Sequence, residues 1–140
     1  MRIRLLQSGR IRDAHVQAIC DDYRKRFRRY GSLQVETCQP HAERGLWPVQ
    51  RCWKVLVDEH GASWSSPQLA ERLARWSMQH GTIALAIGGA DGHDERTRRL
   101  ADAQWSLGPL VLPHQLAHLL VIEQCYRAGS ILAGDPYHRD

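Results

Sequence analysis

The sequence predicts an α/β fold, a mainly parallel sheet flanked by helices, and three observations carry that reading. Short β-prone runs alternate with amphipathic helical segments along most of the chain. The stretch "TIALAI", residues 82–87, is a continuous apolar run bounded by Gly81 and Gly88-Gly89, the pattern of a central parallel strand covered on both faces. Finally, 140 residues with 43% hydrophobic content supply one ordinary core and not two, which argues for a single domain over residues 1–140.

The elements follow in order. "RIRLLQ" alternates basic and apolar residues before Ser8-Gly9 and predicts a first strand with a turn after it. A helix is expected from about Asp13 to Tyr30, with Val16, Ile19, Tyr23, Phe27 and Tyr30 as its buried stripe. Arg24, Lys25, Arg26, Arg28 and Arg29 crowd its other side, as a solvated face or an RNA-facing patch. "LQVETC" predicts a second strand, "QPHAERGLWPVQR" a loop, "CWKVLVD" a buried strand ending at Asp58, and "EHGASWSS" a further loop. Ser66-Pro67 reads as an N-cap with proline at the first helical position, opening a helix that buries Leu69, Leu73 and Trp76 and ends at Gly81. After "TIALAI" come a polar helix from about Asp94 to Gln104, an extended stretch "LGPLVLP" broken by Pro109 and Pro113, and a final helix "HQLAHLLVIEQCYRA" up to Gly129. In such a fold the ligand cleft lies at the carboxyl ends of the strands.

Composition narrows the function. The net charge is +4, and Lys25 and Lys54 are the only lysines. Guanidinium forks match phosphate, so RNA or a phosphorylated ligand is an expected partner. No apolar run reaches the roughly 18 residues of a membrane span, and "MRIRLLQSGR" is too short and charged for a secretion signal, so no membrane association and a cytoplasmic location are expected. Cys20, Cys38, Cys52 and Cys125 have irregular spacing and no C-x-x-C pair, which predicts free, mostly buried thiols.

Several short motifs bear chemistry. "IGGADG", residues 87–92, puts three glycines between a strand and a helix, either for close backbone approach to a ligand or for a tight turn alone. His114 and His118 stand four apart like the histidines of H-E-x-x-H, but Gln115 replaces the glutamate, and no metal is expected. A metal-dependent hydrolase, with Glu123 as a third ligand, is what that spacing leaves as an alternative. Glu123 and Arg127 form an i, i+4 pair beside Tyr126. "GDPYHRD" sets Pro136, Tyr137, His138 and Arg139 in consecutive positions near the end of the sequence, where chains usually fray.

Taken together, "IGGADG", "SLGPLVLPHQL", "EQCYRA" and "GDPYHRD" occur in an order and at spacings that resemble the RlmH family of SPOUT-class methyltransferases. That resemblance implies S-adenosylmethionine (AdoMet) as cofactor, N3 of a pseudouridine in large-subunit (23S) ribosomal RNA as target, the assembled ribosome as probable substrate, a homodimer, and a C-terminal trefoil knot. It places the cofactor against Val57, Gly89, Gly108, Pro109, Leu110, Val111, Leu112 and Pro113. His138, Tyr137 and Arg127 become the candidate catalytic residues: the His138 imidazole is suited to taking the N3 proton, and equally to binding phosphate or anchoring the segment. Arg139, Arg24 and Arg28 are the candidate RNA contacts, with Arg127 sharing that grip. The chain departs from the family pattern at Gly108 and Val111, where hydroxyls are usual, and at His118, where arginine is common. These departures leave a second reading, a diverged ribosome- or RNA-binding module with weak or no transferase activity.

Overall fold

The computed structural model describes residues 1–89 and 91–139. Among the described residues nine elements succeed one another: β1 (Arg2–Gln7), α1 (Ala14–Phe27), β2 (Ser32–Thr37), β3 (Trp53–Ser63), α2 (Ser66–His80), β4 (Thr82–Ile87), α3 (Glu95–Arg99), β5 (Ala103–Ser106) and α4 (His114–Ala133). The five strands form one sheet in the order β2-β1-β4-β3-β5, and every pairing among them is parallel.

The central strand explains the two-sided core. Along β4, Ile83, Leu85 and Ile87 point to one face, where they meet Phe27 of α1, Leu69 and Leu73 of α2, and Val121, Ile122 and Cys125 of α4. Ala84 and Ala86 point to the other face, where their small side chains leave room for Leu46 and Trp47 from the long loop between β2 and β3. Helix α4 packs against both α1 and α2. The opposite face is closed by that loop, which is pinned to α3: the Trp47 indole N–H donates to the Thr97 carbonyl (2.9 Å), and the Leu46 N–H donates to Thr97 Oγ1 (2.9 Å).

Several boundaries differ from the sequence reading, each for a local reason. Helix α1 keeps its stripe in part, but Ile19 is exposed and Cys20 enters the core instead. Its last expected turn, residues 28–30, lies outside the helix. Helix α2 is capped by Ser65 and not Ser66: Ser65 Oγ accepts from the Gln68 N–H while Gln68 Oε1 accepts from the Ser65 N–H, a reciprocal capping box that needs three residues of spacing. Strand β3 continues through the expected loop, because after a bulge at residues 58–61 the chain rejoins β5, with Trp105 opposite both Val57 and Ala62.

The expected helix over 94–104 closes after Arg99. Lys54 and Asp102 then clamp the chain, the Asp102 N–H donating to the Lys54 carbonyl (2.7 Å) and the Lys54 N–H to the Asp102 carboxylate (2.9 Å). Residues 103–106 are thereby drawn into the sheet, and "LGPLVLP" is loop rather than strand. Helix α4 runs past Gly129 to Ala133, since at Gly129 the Tyr30 ring packs where a Cβ would stand, 2.6 Å from it. All four thiols are free, and Cys20, Cys52 and Cys125 are buried. Among the described residues no helix is long and apolar enough to cross a membrane.

Candidate functional site

The carboxyl ends of β3, β4 and β5 and the first turn of α4 surround a cleft of about 260 Å³. Of the eight residues expected at a cofactor, Val57, Gly89, Gly108, Leu110, Val111 and Leu112 line it. Pro109 and Pro113 do not; both are exposed, and Pro113 serves as the N-cap of α4. Asp58, Glu59, His93 and Leu107 line it too, although the sequence reading missed them, and so does His114, which that reading weighed only as a metal ligand. For Asp58 and His93 the available signal was position alone, directly after a strand or glycine turn.

Close packing dictates the glycine turn. A Cβ on Gly88 would lie 2.8 Å from the Gly92 carbonyl carbon, and Gly92 itself has φ 79°, while its N–H donates to the Gly89 carbonyl (3.0 Å). Gly89 has no positive φ, so backbone strain gives no reason for glycine there; an added Cβ would meet only Ser8 Oγ, at 2.9 Å. On the next strand, Ser106 Oγ accepts from the Gly108 N–H (3.1 Å) and fixes the start of the 107–113 loop.

The polar groups of the cleft are held in defined states. Asp58 forms an ion pair with Arg98 (2.9 Å). Burial works to raise its carboxyl, but the hydrogen bond and charge of Arg98 together with the His60 contact outweigh burial and hold it below the ordinary value. His93 bonds through Nε2 to the Val57 carbonyl (2.9 Å), so the neutral ring donates there. Burial pushes its pKa down, and the nearby Arg98 charge acts in the same direction. The cleft therefore pairs apolar walls with two carboxylates, Asp58 and Glu59, and a neutral imidazole.

Beyond the glycine turn a second cavity of about 620 Å³ opens past Ser8, Arg10 and Arg12, sharing Gly89, Gly92, His93 and His114 with the first. Gln115, the residue that breaks the metal motif, ties this region together: its Oε1 accepts from the Arg12 N–H (2.9 Å) and the Asp13 N–H (2.8 Å). His118 faces inward, 1% exposed. Among the described residues no cluster of three His, Cys, Asp or Glu side chains is placed to hold a metal ion.

A separate polar cluster holds the terminal segment. Gly134 caps α4 in the left-handed conformation and turns the chain back along the helix. Tyr137 packs edge-on against Tyr126 (4.7 Å between ring centroids), and Arg26 lies 4.5–5.4 Å from the ring centres of Tyr23, Tyr126 and Tyr137. Glu123 is the hub: Oε1 accepts from Arg127 Nε (3.0 Å), Arg127 Nη2 (2.7 Å) and the Tyr137 hydroxyl (2.9 Å). Arg127 Nη1 reaches His138 Nδ1 at 3.1 Å, and Tyr30 donates to Asp135. Burial, then the hydrogen bonds of Tyr23 and Glu123, drive the Tyr137 phenol well above its ordinary pKa.

The structure thus brings His138, Tyr137 and Arg127 together and leaves Arg139 exposed beside them. Arg24 and Arg28 lie elsewhere, with Lys25 in a groove between α1 and β2, where Arg24 stands 3.6 Å from Asp21.

Comparison with known families decides what the arrangement belongs to. A family model described as "Predicted SPOUT methyltransferase" matches residues 1–138. The chain belongs to the SPOUT methyltransferase family. Within that family it is similar to proteins named "Ribosomal RNA large subunit methyltransferase H": 41% identical to that of Deinococcus radiodurans over 99% of each chain, and 37% identical to that of Hahella chejuensis over the whole of both. The relative in Synechococcus sp. is also 41% identical, over 99% of this chain and 95% of its own. Among solved structures, "a probable methylase family protein from Haemophilus influenzae Rd KW20" aligns with a TM-score of 0.59 at 14% identity, covering 99% of this SPOUT chain and 70% of the other, a likeness of fold.

Proposed function

We propose that this SPOUT chain is an AdoMet-dependent methyltransferase that modifies N3 of a pseudouridine in large-subunit ribosomal RNA, acting in the cytoplasm on the assembled ribosome. The observation that carries the reading is the convergence of Val57, Gly89, Gly108, Leu110, Val111 and Leu112 on one cleft at the strand ends. The full-length likeness to relatives named as ribosomal RNA methyltransferases supports the substrate class. The reading includes the trefoil knot and the homodimer, and its test for the dimer is light scattering, where a monomer at micromolar concentration would overturn that part.

The residues present fit the cofactor. AdoMet, when bound, supplies a methyl group on a sulfonium. Backbone groups of Val57 and of the 107–112 loop offer N–H and C=O partners to an adenine, and Asp58 and Glu59 face a ligand that carries positive charge. Ile87, Leu107 and Leu112 keep the walls apolar, which favours a transfer in which opposite charges cancel and leaves positioning to supply much of the rate.

His138, Tyr137 and Arg127 are not among the residues that line this cleft. Ala117 lines the cleft and Arg127 carries the cluster, ten residues apart on one helix, which is about 15 Å of rise. On this reading the terminal segment completes the site of a second copy, with Arg139, Arg24 and Arg28 gripping the RNA backbone. The deciding experiment is methyl transfer from labelled AdoMet to intact ribosomes and to free RNA, with the modified base mapped. Label at N3 of one pseudouridine is expected, and absence of both transfer and AdoMet binding would leave only the RNA-binding module.

A further inference from the structure

We propose that the second cavity seats the acceptor nucleotide, with Arg10 and Arg12 holding its phosphate and Asp91 accepting a hydrogen bond from its ribose or base. That this nucleotide belongs to an RNA substrate rests on the methyltransferase reading above; the capacity of the cavity for a phosphorylated nucleoside does not.

Sheet topology places the cavity. Strands β1 and β4 lie side by side and parallel within the order β2-β1-β4-β3-β5. From β1 the chain runs through α1, packed on the face of Ile83 and Leu85, to β2 on one side. From β4 it runs through α3, pinned to Leu46 and Trp47 on the opposite face, to β5 on the other side. The two loops therefore part as they leave the sheet. A crevice opens between them at the carboxyl ends of the strands, the position at which open α/β sheets take their ligands. The cavity of about 620 Å³ is that crevice, lined by Ser8, Arg10 and Arg12 after β1 and by Gly89, Asp91 and His93 after β4. Its volume lies within the about 300–1,000 Å³ of small-ligand sites.

The lining is polarised by loop. The loop after β1 brings two cations, Arg10 and Arg12, both exposed, and among the described residues no carboxylate pairs with either. Guanidinium forks match phosphate oxygens. The loop after β4 brings carboxylates: Asp94 is committed to the Thr97 N–H (2.9 Å) and hydroxyl (2.7 Å), while Asp91 is exposed. A nucleotide has the complementary polarity, an anionic phosphate at one end and hydroxyl and N–H donors on its ribose and base. The cationic loop is also held in place, since Gln115 of α4 accepts from the Arg12 and Asp13 N–H groups. Finally, Gly89, Gly92, His93 and His114 line both cavities. A nucleotide in the second thus meets a methyl donor in the first across one shared wall, the proximity that a two-substrate transfer requires.

The test has a binding and a kinetic arm. NMR of the ¹⁵N-labelled protein, titrated with uridine 5′-monophosphate at millimolar concentration, is expected to move the amide signals of Ser8, Arg10, Arg12 and Asp91. Uridine alone and inorganic phosphate alone should each bind more weakly. Phosphate binding as tightly as the monophosphate would reveal a plain anion site and overturn the nucleotide assignment; an absence of shifts in these two loops would overturn the whole proposal. The double variant Arg10→Ala/Arg12→Ala, whose fold the amide spectrum checks, should bind the monophosphate at least about 10-fold more weakly, the scale of losing hydrogen bonds to a charged partner. In methyl transfer to ribosomes it should lose about 10- to 100-fold in kcat/KM, with AdoMet affinity by calorimetry within about twofold of the parent, and Arg10→Lys/Arg12→Lys should recover part of the loss. An alanine variant that keeps the parent kcat/KM would refute the assignment. If the unmodified protein transfers no methyl group to any RNA, the functional reading fails, while the titration still decides the site.

Discussion

Acidification should destabilise this protein through His118, and the size of the effect follows from its burial. The imidazole is 1% exposed on α4. Burial first, and the nearby His114 charge second, push its pKa from 6.5 to about 4. In the unfolded chain the ring regains its ordinary value, so between these limits the unfolded state binds the extra proton. The contribution is fully present above about pH 6.5 and is lost as pH falls toward about 4. A difference of about 2.5 units, 6.5 less 4, at about 1.36 kcal/mol each corresponds to roughly 3 kcal/mol in full and about 2 kcal/mol by pH 5. Against a typical stability of about 5–15 kcal/mol that is a readily measured loss.

The carboxyls of Glu36, Asp58 and Asp94 are held low from ordinary values of 4.5, 3.8 and 3.8, so their contributions vanish only in stronger acid. The window above about pH 5 therefore isolates buried histidine, with His93 shifted in the same direction as His118. The assay is urea unfolding at about pH 7.5 and about pH 5 for the unmodified protein and for His118→Leu. The unmodified protein should lose about 2 kcal/mol more than the variant. Identical losses in the two would refute the claim that this ring is buried in its neutral form.

Other expectations come from close contacts. Gly88→Ala should abolish measurable AdoMet binding by calorimetry, because its Cβ meets Gly92 backbone at 2.8 Å, whereas Gly89→Ala should weaken binding less and be relieved by Ser8→Gly. Gly108→Ser, which would restore the residue usual in the resembling family, should lower stability by about 1–3 kcal/mol in thermal unfolding, since φ is 122° there and the surrounding space is open. Glu123→Gln should speed proteolysis of the terminal segment without unfolding the sheet, as the hub of Arg127 and Tyr137 is weakened. In alkali, Tyr30→Phe should flatten the loss of stability above about pH 10: burial and the Asp135 hydrogen bond push the Tyr30 phenol up to about 12, so its contribution is present below 10 and is lost as pH rises through 12.

The sheet was legible because strand and helix periods are strong where burial is complete. "TIALAI" and the stripe of Leu69, Leu73 and Trp76 depend on one face or two being apolar, and the structure buries them so. What escaped depends on contacts distant in sequence. Strand β5 exists because Lys54, 48 residues earlier, clamps Asp102; nothing in "ADAQWS" alone separates it from the end of a polar helix. Strand β3 outruns its apolar run because β5 is there to receive Ala62 and Ser63 beyond a bulge. The cleft residues were legible only through motif order, whereas His93 and Asp58 carry no local signal, and the role of Glu123 as a hub required knowing that Gly134 folds the chain back onto α4.

Helix α4 makes the arrangement of the candidate site intelligible. Its 20 residues span about 30 Å, with His114 and Ala117 at the cleft and Glu123, Tyr126 and Arg127 under the returning segment. Between these groups Val121, Ile122 and Cys125 are packed against the sheet and against α1 and α2, so neither end moves relative to the other without disrupting the core. The aromatic cage around Arg26 draws Tyr23 from α1, Tyr126 from α4 and Tyr137 from the returning segment, and Tyr30 fits the notch left by Gly129 before reaching Asp135. A loose chain end would need none of these constraints. Ordering residues 134–139 costs about 1–2 kcal/mol per residue in backbone entropy, which the stacked rings and the charge-assisted bonds to Glu123 must offset. That investment centres on Glu123, six residues or about 9 Å of rise along the helix from Ala117 of the cleft, so α4 fixes the terminal segment at a set distance from the strand ends.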